Sequence, residues 1–309
     1  MFVVCGEALM DVFSAGEASG GLSLDARVGG SPFNVAVGLA RMGQPVGLLA
    51  ALSHDFMGER LLRSLQSEGV ATSMVQRTHH STTLSVVGLD GNQVPSYAFY
   101  GANAADRQLR LGALSTLPSN LRALHFGSYA TVVEPIAATL RALVEREHRR
   151  TVISLDPNVR LNVEPEVAVW QSYLEWMLPR THLLKISDED LQLLMPGVAP
   201  ETFAARALQS GVRLVVLTRG AEGASAWTSQ GEAHVERVSV EVVDTVGAGD
   251  TFQAALLTWL QESNTLAVEG MGNLGREDLE QAMNFCARAA AITCTRRGAD
   301  LPRRHELNG

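Results

Sequence analysis

The sequence predicts a three-layer α/β fold: a mostly parallel sheet with helices on both faces, plus a small separate β-sheet. Three observations carry this. From Leu111 onward, apolar strand-like runs alternate with amphipathic helical stretches, the pattern of a parallel sheet with crossover helices. Two hairpin patterns, at 12–28 and 82–100, fall outside that alternation. The 309 residues suffice for one large α/β domain or two ordinary ones.

Composition narrows the function classes. A hydrophobic content of 46% fits a soluble globular protein, and a net charge of −8 argues against nucleic acid or an anionic membrane as partner. No run approaches the roughly 18 apolar residues that span a bilayer. The N-terminus enters a strand-like run without a basic segment or cleavage-type tail, so a cytoplasmic location is expected. Cys5, Cys286 and Cys294 show no metal spacing and read as free thiols, which fits a reducing compartment. Lysine occurs once, at Lys185.

In chain order, Phe2–Gly6 reads as a short buried strand, which places Asp11 at or just past its C-terminal end, where open parallel sheets bind ligands. Residues 12–28 read as a hairpin around Gly16, Gly20 and Gly21. Gly29-Gly30-Ser31-Pro32-Phe33-Asn34 opens a helix, with proline near its start; the glycine pair permits close ligand approach and Asn34 supplies donor and acceptor. Val46–Leu52 is a strand, Asp55 to about Glu68 a helix, and Val70–Val75 another strand. A second hairpin runs over 82–90 and 93–100 with its turn at Asp90-Gly91-Asn92. Its aromatic cluster, Tyr97, Phe99 and Tyr100, is either lid core or substrate wall, with two of the three expected in the core. Strands follow at Ala123–Phe126, Thr151–Leu155, His182–Ile186, Leu214–Leu217 and Gly223–Trp227, and helices at 134–148, 165–177, 188–195 and 201–210. Residues 262–275 read as loop and 276–292 as the last helix. The expected division is a core of 1–11, 30–78 and 107–309, with a β lid of 12–29 and 79–106.

The most informative stretch lies late in the chain. A β-type run (Val238, Val240, Val242, Val243) leads through Asp244-Thr245-Val246 into Gly247-Ala248-Gly249-Asp250, and a helical pattern begins at once. Amides at a helix N-terminus lack intrahelical partners and sit at the positive end of the dipole, so the turn is an anion site suited to phosphate. A carboxylate at Asp250 could take a proton from a hydroxyl beside a phosphoryl group; alternatively, Asp250 caps the helix. No Gly-x-Gly-x-x-Gly follows the first strand, against a dinucleotide oxidoreductase, and no Walker loop occurs.

Asp244-Thr245-Val246-Gly247-Ala248-Gly249-Asp250, together with Gly29-Gly30…Asn34-x-Ala36, resembles the paired signatures of the ribokinase/PfkB carbohydrate kinases. The resemblance extends from Gly6 to Ala299 and implies a ribokinase-like αβα sandwich with a β lid, ATP and Mg²⁺ as cofactors, and a homodimer formed through the lid. It implies Asp250 as general base, with the amides of Gly247, Ala248 and Gly249 as anion hole. Asp11, Gly29, Gly30, Asn34 and Phe99 would meet the sugar. Asp156-Pro157-Asn158-Val159-Arg160 is similar to a segment in which Arg160 faces the sugar or the transferred phosphate. Thr218, Gly220 and Gly223 match the Thr-x-Gly-x-x-Gly loop of the ATP site, and Asn284, with Ala287 and Ala290, the adenine face. Lys185-Ile186-Ser187-Asp188-Glu189-Asp190 departs from the family's Asn-x-x-Glu, placing Ser187 and Asp190 in those positions, so Asp190 and Glu189 compete for magnesium. A K⁺ site would draw on backbone carbonyls of Asp244, Val246, Thr293, Arg296 and Gly298.

Within the family the chain looks most like fructokinases, at His125-Phe126-Gly127-Ser128, Asp156–Arg160 and Lys185–Asp188. Ketodeoxygluconate kinases are the alternative, but they typically place an arginine after the lid aromatic pair, where this chain has Gly101; fructokinases often do so too, so Gly101 weakens both and the acid sugar more. The expected reaction is D-fructose to fructose 6-phosphate. A rival of another class is a non-catalytic sugar-binding or regulatory relative, which usually loses the base or the glycines kept here.

Overall fold

A computed structural model of the chain describes residues 1–18, 20–89 and 95–307. The first half contains β1 (Phe2–Cys5), β2 (Leu9–Ala18), β3 (Gly21–Gly29), α1 (Ser31–Arg41), β4 (Val46–Ser53), α2 (Phe56–Ser67), β5 (Val75–Thr78), β6 (Leu84–Leu89), β7 (Pro95–Tyr100), β8 (Ala123–Gly127), α3 (Ile136–Glu147) and β9 (Val152–Asp156). The second half continues with α4 (Val167–Met177), β10 (Leu183–Ser187), α5 (Asp188–Leu194), α6 (Pro200–Ser210), β11 (Leu214–Thr218), β12 (Ala224–Trp227), β13 (Glu232–Val235), α7 (Ala248–Glu262), α8 (Val268–Gly272) and α9 (Arg276–Cys294).

The main sheet runs β13-β12-β11-β10-β9-β8-β1-β4-β5, with every strand in the same direction except β12, which pairs antiparallel with both β11 and β13. Strand side chains alternate faces, and the core divides accordingly. Val4, Leu48 and Ala50 face α1, α7 and α9, while Val3, Cys5, Leu49 and Ala51 face the side holding α3, α4 and α6. Both faces being covered, the central strands β1 and β4 are buried along their whole length rather than alternating. A separate four-stranded sheet, β3-β2-β6-β7, stands beyond the strand ends, with β2–β6 parallel and the other pairs antiparallel.

The fold class expected from the sequence is the one observed. Several elements differ in detail. The strand expected at Val70–Val75 begins only at Val75; Val70 and Met74 are buried, but only a bridge from Ala71 to Gly47 forms there. The valine run 238–243 forms no strand, because no neighbour pairs with it, and Val242 and Val243 are exposed. The expected loop 262–275 contains α8, and β13 was missed. Asp11 lies inside β2 of the small sheet, not at the end of β1, because the chain turns at Gly6. Of the aromatic cluster, Tyr100 is exposed and Phe99 is half-buried against the core. The turn Asp90-Gly91-Asn92 and the side chain of Tyr97 lie outside the described residues. Cys5 and Cys286 are buried, and Cys294 partly so. Among the described residues, no helix is long and apolar enough to cross a membrane.

Candidate active site

A cleft of about 800 Å³ lies between the carboxyl ends of the parallel strands and the small sheet. Strand ends contribute Asp156, Ser187 and Thr218, the small sheet contributes Asp11, Ser85 and Phe99, and the opening turn of α7 forms the floor. This is where open α/β sheets place ligands.

Gly247 caps α7 in a left-handed conformation (φ 79°) that residues with a side chain rarely adopt. A Cβ there would lie 2.6 Å from that of Ala299, so the turn is closed to any larger residue. The amides of 248–250 follow, at the positive end of a helix fifteen residues long. Asp250 stands in this first turn and is largely buried. It makes no cap bond to its own helix; α1 holds it instead. Ser31 Oγ donates to Oδ1 at 2.6 Å and Asn34 Nδ2 to Oδ2 at 2.8 Å. Those donors are one helical turn apart, and α1 crosses α7 closely because Gly38 faces Ala254. Burial raises the pKa of Asp250 above the ordinary carboxylate value, opposed by Ser31, Asn34 and Lys185 and reinforced by Asp156.

The chain's single lysine is in the same place. Lys185 is buried, and its Nζ lies 2.6 Å from Asp156 Oδ2. Neighbouring strands β9 and β10 pair Leu183 with Ser154 and Leu184 with Leu155, so the next residue along brings Lys185 beside Asp156. Lys185 Nζ sits 3.3 Å from where a Cβ on Gly249 would stand, which puts a cation next to the amide turn. The other oxygen of Asp156, Oδ1, is buried without a hydrogen-bond partner among the described residues. Asp190 is nearby: burial and then Asp156 push its pKa up to about 6, while Val159 N donates to its Oδ1 at 3.1 Å.

At the small-sheet side, Asp11 pairs across strands with Ser85; burial first, and Asp250 in part, lift its pKa to about 6, opposed by the Ser85 hydroxyl and Arg160. A Cβ on Gly29 would lie 2.1 Å from Asp11 Oδ2, so Gly29 makes room for that carboxyl. Phe99 lines the cleft and meets Tyr129 edge-on, centroids 5.4 Å apart. Tyr129 in turn donates to the buried Asp106 at 2.9 Å, which also accepts from Thr83. Arg160 lines the cleft, with its Nη1 on the carbonyl of Val159.

The cleft therefore gathers Asp11, Gly30, Asn34, Phe99, Arg160, Lys185, Ser187, Glu189, Asp190, Thr218, Gly220, Gly223, Val246, Gly247, Ala248, Gly249 and Asp250. It does not include Asn284, which is exposed about one turn before Ala287 on the same side of α9; Ala287, Ala290 and Ala291 line the cleft. Gly29, Asp244, Thr293, Arg296 and Gly298 also lie outside it. Asp244, Arg296 and Gly298 belong to a loop pair joined by Asp244, which accepts from Val246 N at 3.0 Å and Gly298 N at 2.8 Å; Thr293 lies in the last turn of α9. Sequence reasoning missed Ser31, Asp156 and Glu7. Ser31 and Asp156 sit inside motifs already singled out, but their partners are distant in sequence.

Comparison with known proteins bears on this geometry. The family model described as pfkB family carbohydrate kinase matches residues 1–306. The chain belongs to the pfkB family of carbohydrate kinases. It is 36% identical to a fructokinase of Rhizobium leguminosarum bv. trifolii over 279 residues, covering 90% of this chain and 85% of the relative. A fructokinase of Xylella fastidiosa, solved with bound ATP, superposes with a TM-score of 0.86 at 26% identity, over 99% of this chain and 96% of that one. A fructokinase of Vibrio cholerae O395, solved with fructose, ADP and calcium ion, gives 0.83 at 26% identity, over 99% and 97%. This pfkB kinase is thus a sugar kinase by family.

Proposed function

We propose that this pfkB kinase transfers the γ-phosphoryl group of ATP to O6 of D-fructose. The observation that carries the reading is Asp250, held by Ser31 and Asn34 at the amide turn of α7 beside buried Lys185. The sugar lies between Asp11, Gly30, Asn34 and Phe99. ATP lies toward Thr218, Gly220, Gly223 and Ala290, with its terminal phosphate at 247–250. The fructose hydroxyl oxygen attacks phosphorus and its proton passes to Asp250; the bond to the bridging oxygen breaks and ADP leaves. The 247–249 amides and Lys185 balance charge on the transferring group, and Arg160 serves the same end from the strand side. Positioning and electrostatics supply most of the rate in such transfers. The small sheet closes over the sugar and keeps water from the phosphoryl group.

Magnesium fits the residues present. Asp156 Oδ1 is a buried hard oxygen without a partner, and Asp190 lies close enough to feel its charge. No group of three or more His, Cys, Asp or Glu residues suited to a metal occurs among the described residues, in keeping with an ion that takes few protein ligands. Bound there, it would neutralise phosphate charge; Glu189 is the second acid at that end. For K⁺, the carbonyls of Thr293 and Gly298 each already accept one hydrogen bond, from Arg296 N and Asp300 N, leaving one lone pair each.

The relatives named fructokinase support fructose as the sugar. Gly101 weighs on both sugars and more on the acid one: a Cβ there would lie 2.2 Å from Phe99 Cε1, so the Phe99 ring stands where a substrate-gripping arginine would begin. A carboxylate-bearing sugar acid would be left without that partner. With ATP and magnesium, fructose is expected to give the highest kcat/KM in a panel with ribose, glucose and 2-keto-3-deoxygluconate. Preference for the sugar acid or ribose would remove the fructose assignment.

A second copy of the chain is expected on the small sheet. Edge strand β3 exposes Leu22 (61%) and Leu24 (52%), an apolar strand edge of the kind that pairs with another chain. Light scattering should give twice the chain mass, and Leu24→Glu should give a monomer. A monomeric wild-type protein rejects the pairing.

A further inference from the structure

Glu7 has no role in the mechanism above, yet it lines the cleft from the loop between β1 and β2. It is 1% exposed. Ser128, which also lines the cleft, adopts a left-handed conformation (φ 57°) unusual for serine. The Oε2 of Glu7 is buried and has no hydrogen-bond partner among the described residues. Buried polar atoms are seldom left so, and those that are call for a ligand or another explanation. The carbonyl of Glu7 lies 3.0 Å from where a Cβ on Gly30 would stand, so Glu7 abuts the turn whose next residue, Ser31, holds Asp250.

We propose that Glu7 is a sugar-binding residue whose Oε2 donates a hydrogen bond to an oxygen of the bound sugar. This rests on the sugar-kinase reading of the cleft. The chemistry follows from what the neighbours lack. An ionised carboxylate only accepts, whereas a sugar ring oxygen also only accepts and needs a donor. Burial raises the pKa of Glu7 to about 8; Ser128 lowers it, Asp106 adds to the rise, and Arg160 opposes it. The acid therefore keeps its proton at neutral pH and is a donor in a cleft that also holds the acceptor carboxyls of Asp11 and Asp250. A third carboxylate here would add charge to an already acidic pocket; a neutral acid reads the sugar without that charge.

The test compares Glu7→Gln, which keeps a donor of similar shape, with Glu7→Met, which keeps length but no polar end. Wild-type enzyme is first assayed on the sugar panel, so failure on fructose is seen separately, and the best sugar is used for the variants. Glu7→Met is expected to raise the sugar KM at least tenfold, with the ATP KM within about twofold, and to lose the sugar-induced rise in Tm. Glu7→Gln should raise the sugar KM only about threefold and keep that rise. If Glu7→Met does not fold, Glu7→Gln and Glu7→Asp replace the pair; the aspartate keeps the acid but falls short, and should lose sugar affinity alone. An unchanged sugar KM in the polar-free or shortened variant, or equal rises for sugar and ATP, overturns the proposal. So does a glutamine variant as impaired as the methionine one.

Discussion

Asp250→Ala is expected to lower kcat by about 10²- to 10⁴-fold, the usual worth of a positioned general base, with little change in either KM. Asp250→Asn should fall in the same range, because the amide keeps the shape, accepting from Asn34 and donating to the Ser31 hydroxyl, but cannot take the proton. The pH profile separates loss of the base from loss of packing. Asp250 acts only when ionised, and burial lifts its pKa above the ordinary aspartate value. In the wild type, kcat should therefore decline as pH falls through that raised value, and the asparagine variant should lack this acid limb. Stability moves oppositely. A raised folded-state pKa contributes stability fully present below the unfolded value and lost as pH rises through the folded one. Asp250→Asn should accordingly melt no lower than wild type at neutral pH, as expected where an active-site charge is kept at a cost in stability. Full turnover by Asp250→Ala would exclude the mechanism and favour a sugar-binding protein without catalysis.

Lys185→Met should lose both rate and stability. Removing one preorganised charge at a developing phosphoryl group costs about 10²- to 10³-fold in kcat. It also strands Asp156, whose Oδ2 pairs at 2.6 Å with Lys185 and whose Oδ1 already lacks a partner. Breaking one side of a buried pair costs about 3–5 kcal/mol, because the remaining charge is buried uncompensated. The double variant Lys185→Met with Asp156→Asn should recover much of the stability in urea denaturation and none of the activity. Turnover retained by Lys185→Met would take the lysine out of the phosphoryl site. A double variant as unstable as the single one would show that the pair is not what holds these strand ends.

Much of the fold was legible because it rests on local pattern. The helix openings at Gly30 and Gly247, both hairpins and the alternation of the C-terminal half follow from neighbours within a few residues. The errors share a cause. Val238–Val243 has strand-forming residues but no strand beside it, and Val70–Val75 has apolar residues whose burial needs no sheet pairing. Strand propensity describes a side chain that fits a pleated surface, and it cannot supply the partner. Asn284 stands on the α9 face of Ala287 and Ala291 yet outside the cleft, because spacing gives the face of a helix and not how far along it a cleft extends.

Contiguous residues alone therefore settled the α/β class, the family and the amide turn at 247–250, since periodicity and a short motif are properties of neighbouring positions. The three-dimensional packing decided the company each reactive group keeps. Asp250 could have capped its own helix; α1, arriving from the other end of the chain, takes its carboxyl instead. Lys185 meets Asp156 only through strand register, and Glu7 became a buried acid only when the loop after β1 was covered. Charge state depends on desolvation and on atoms distant in sequence, so no reading of one stretch at a time could have reached it.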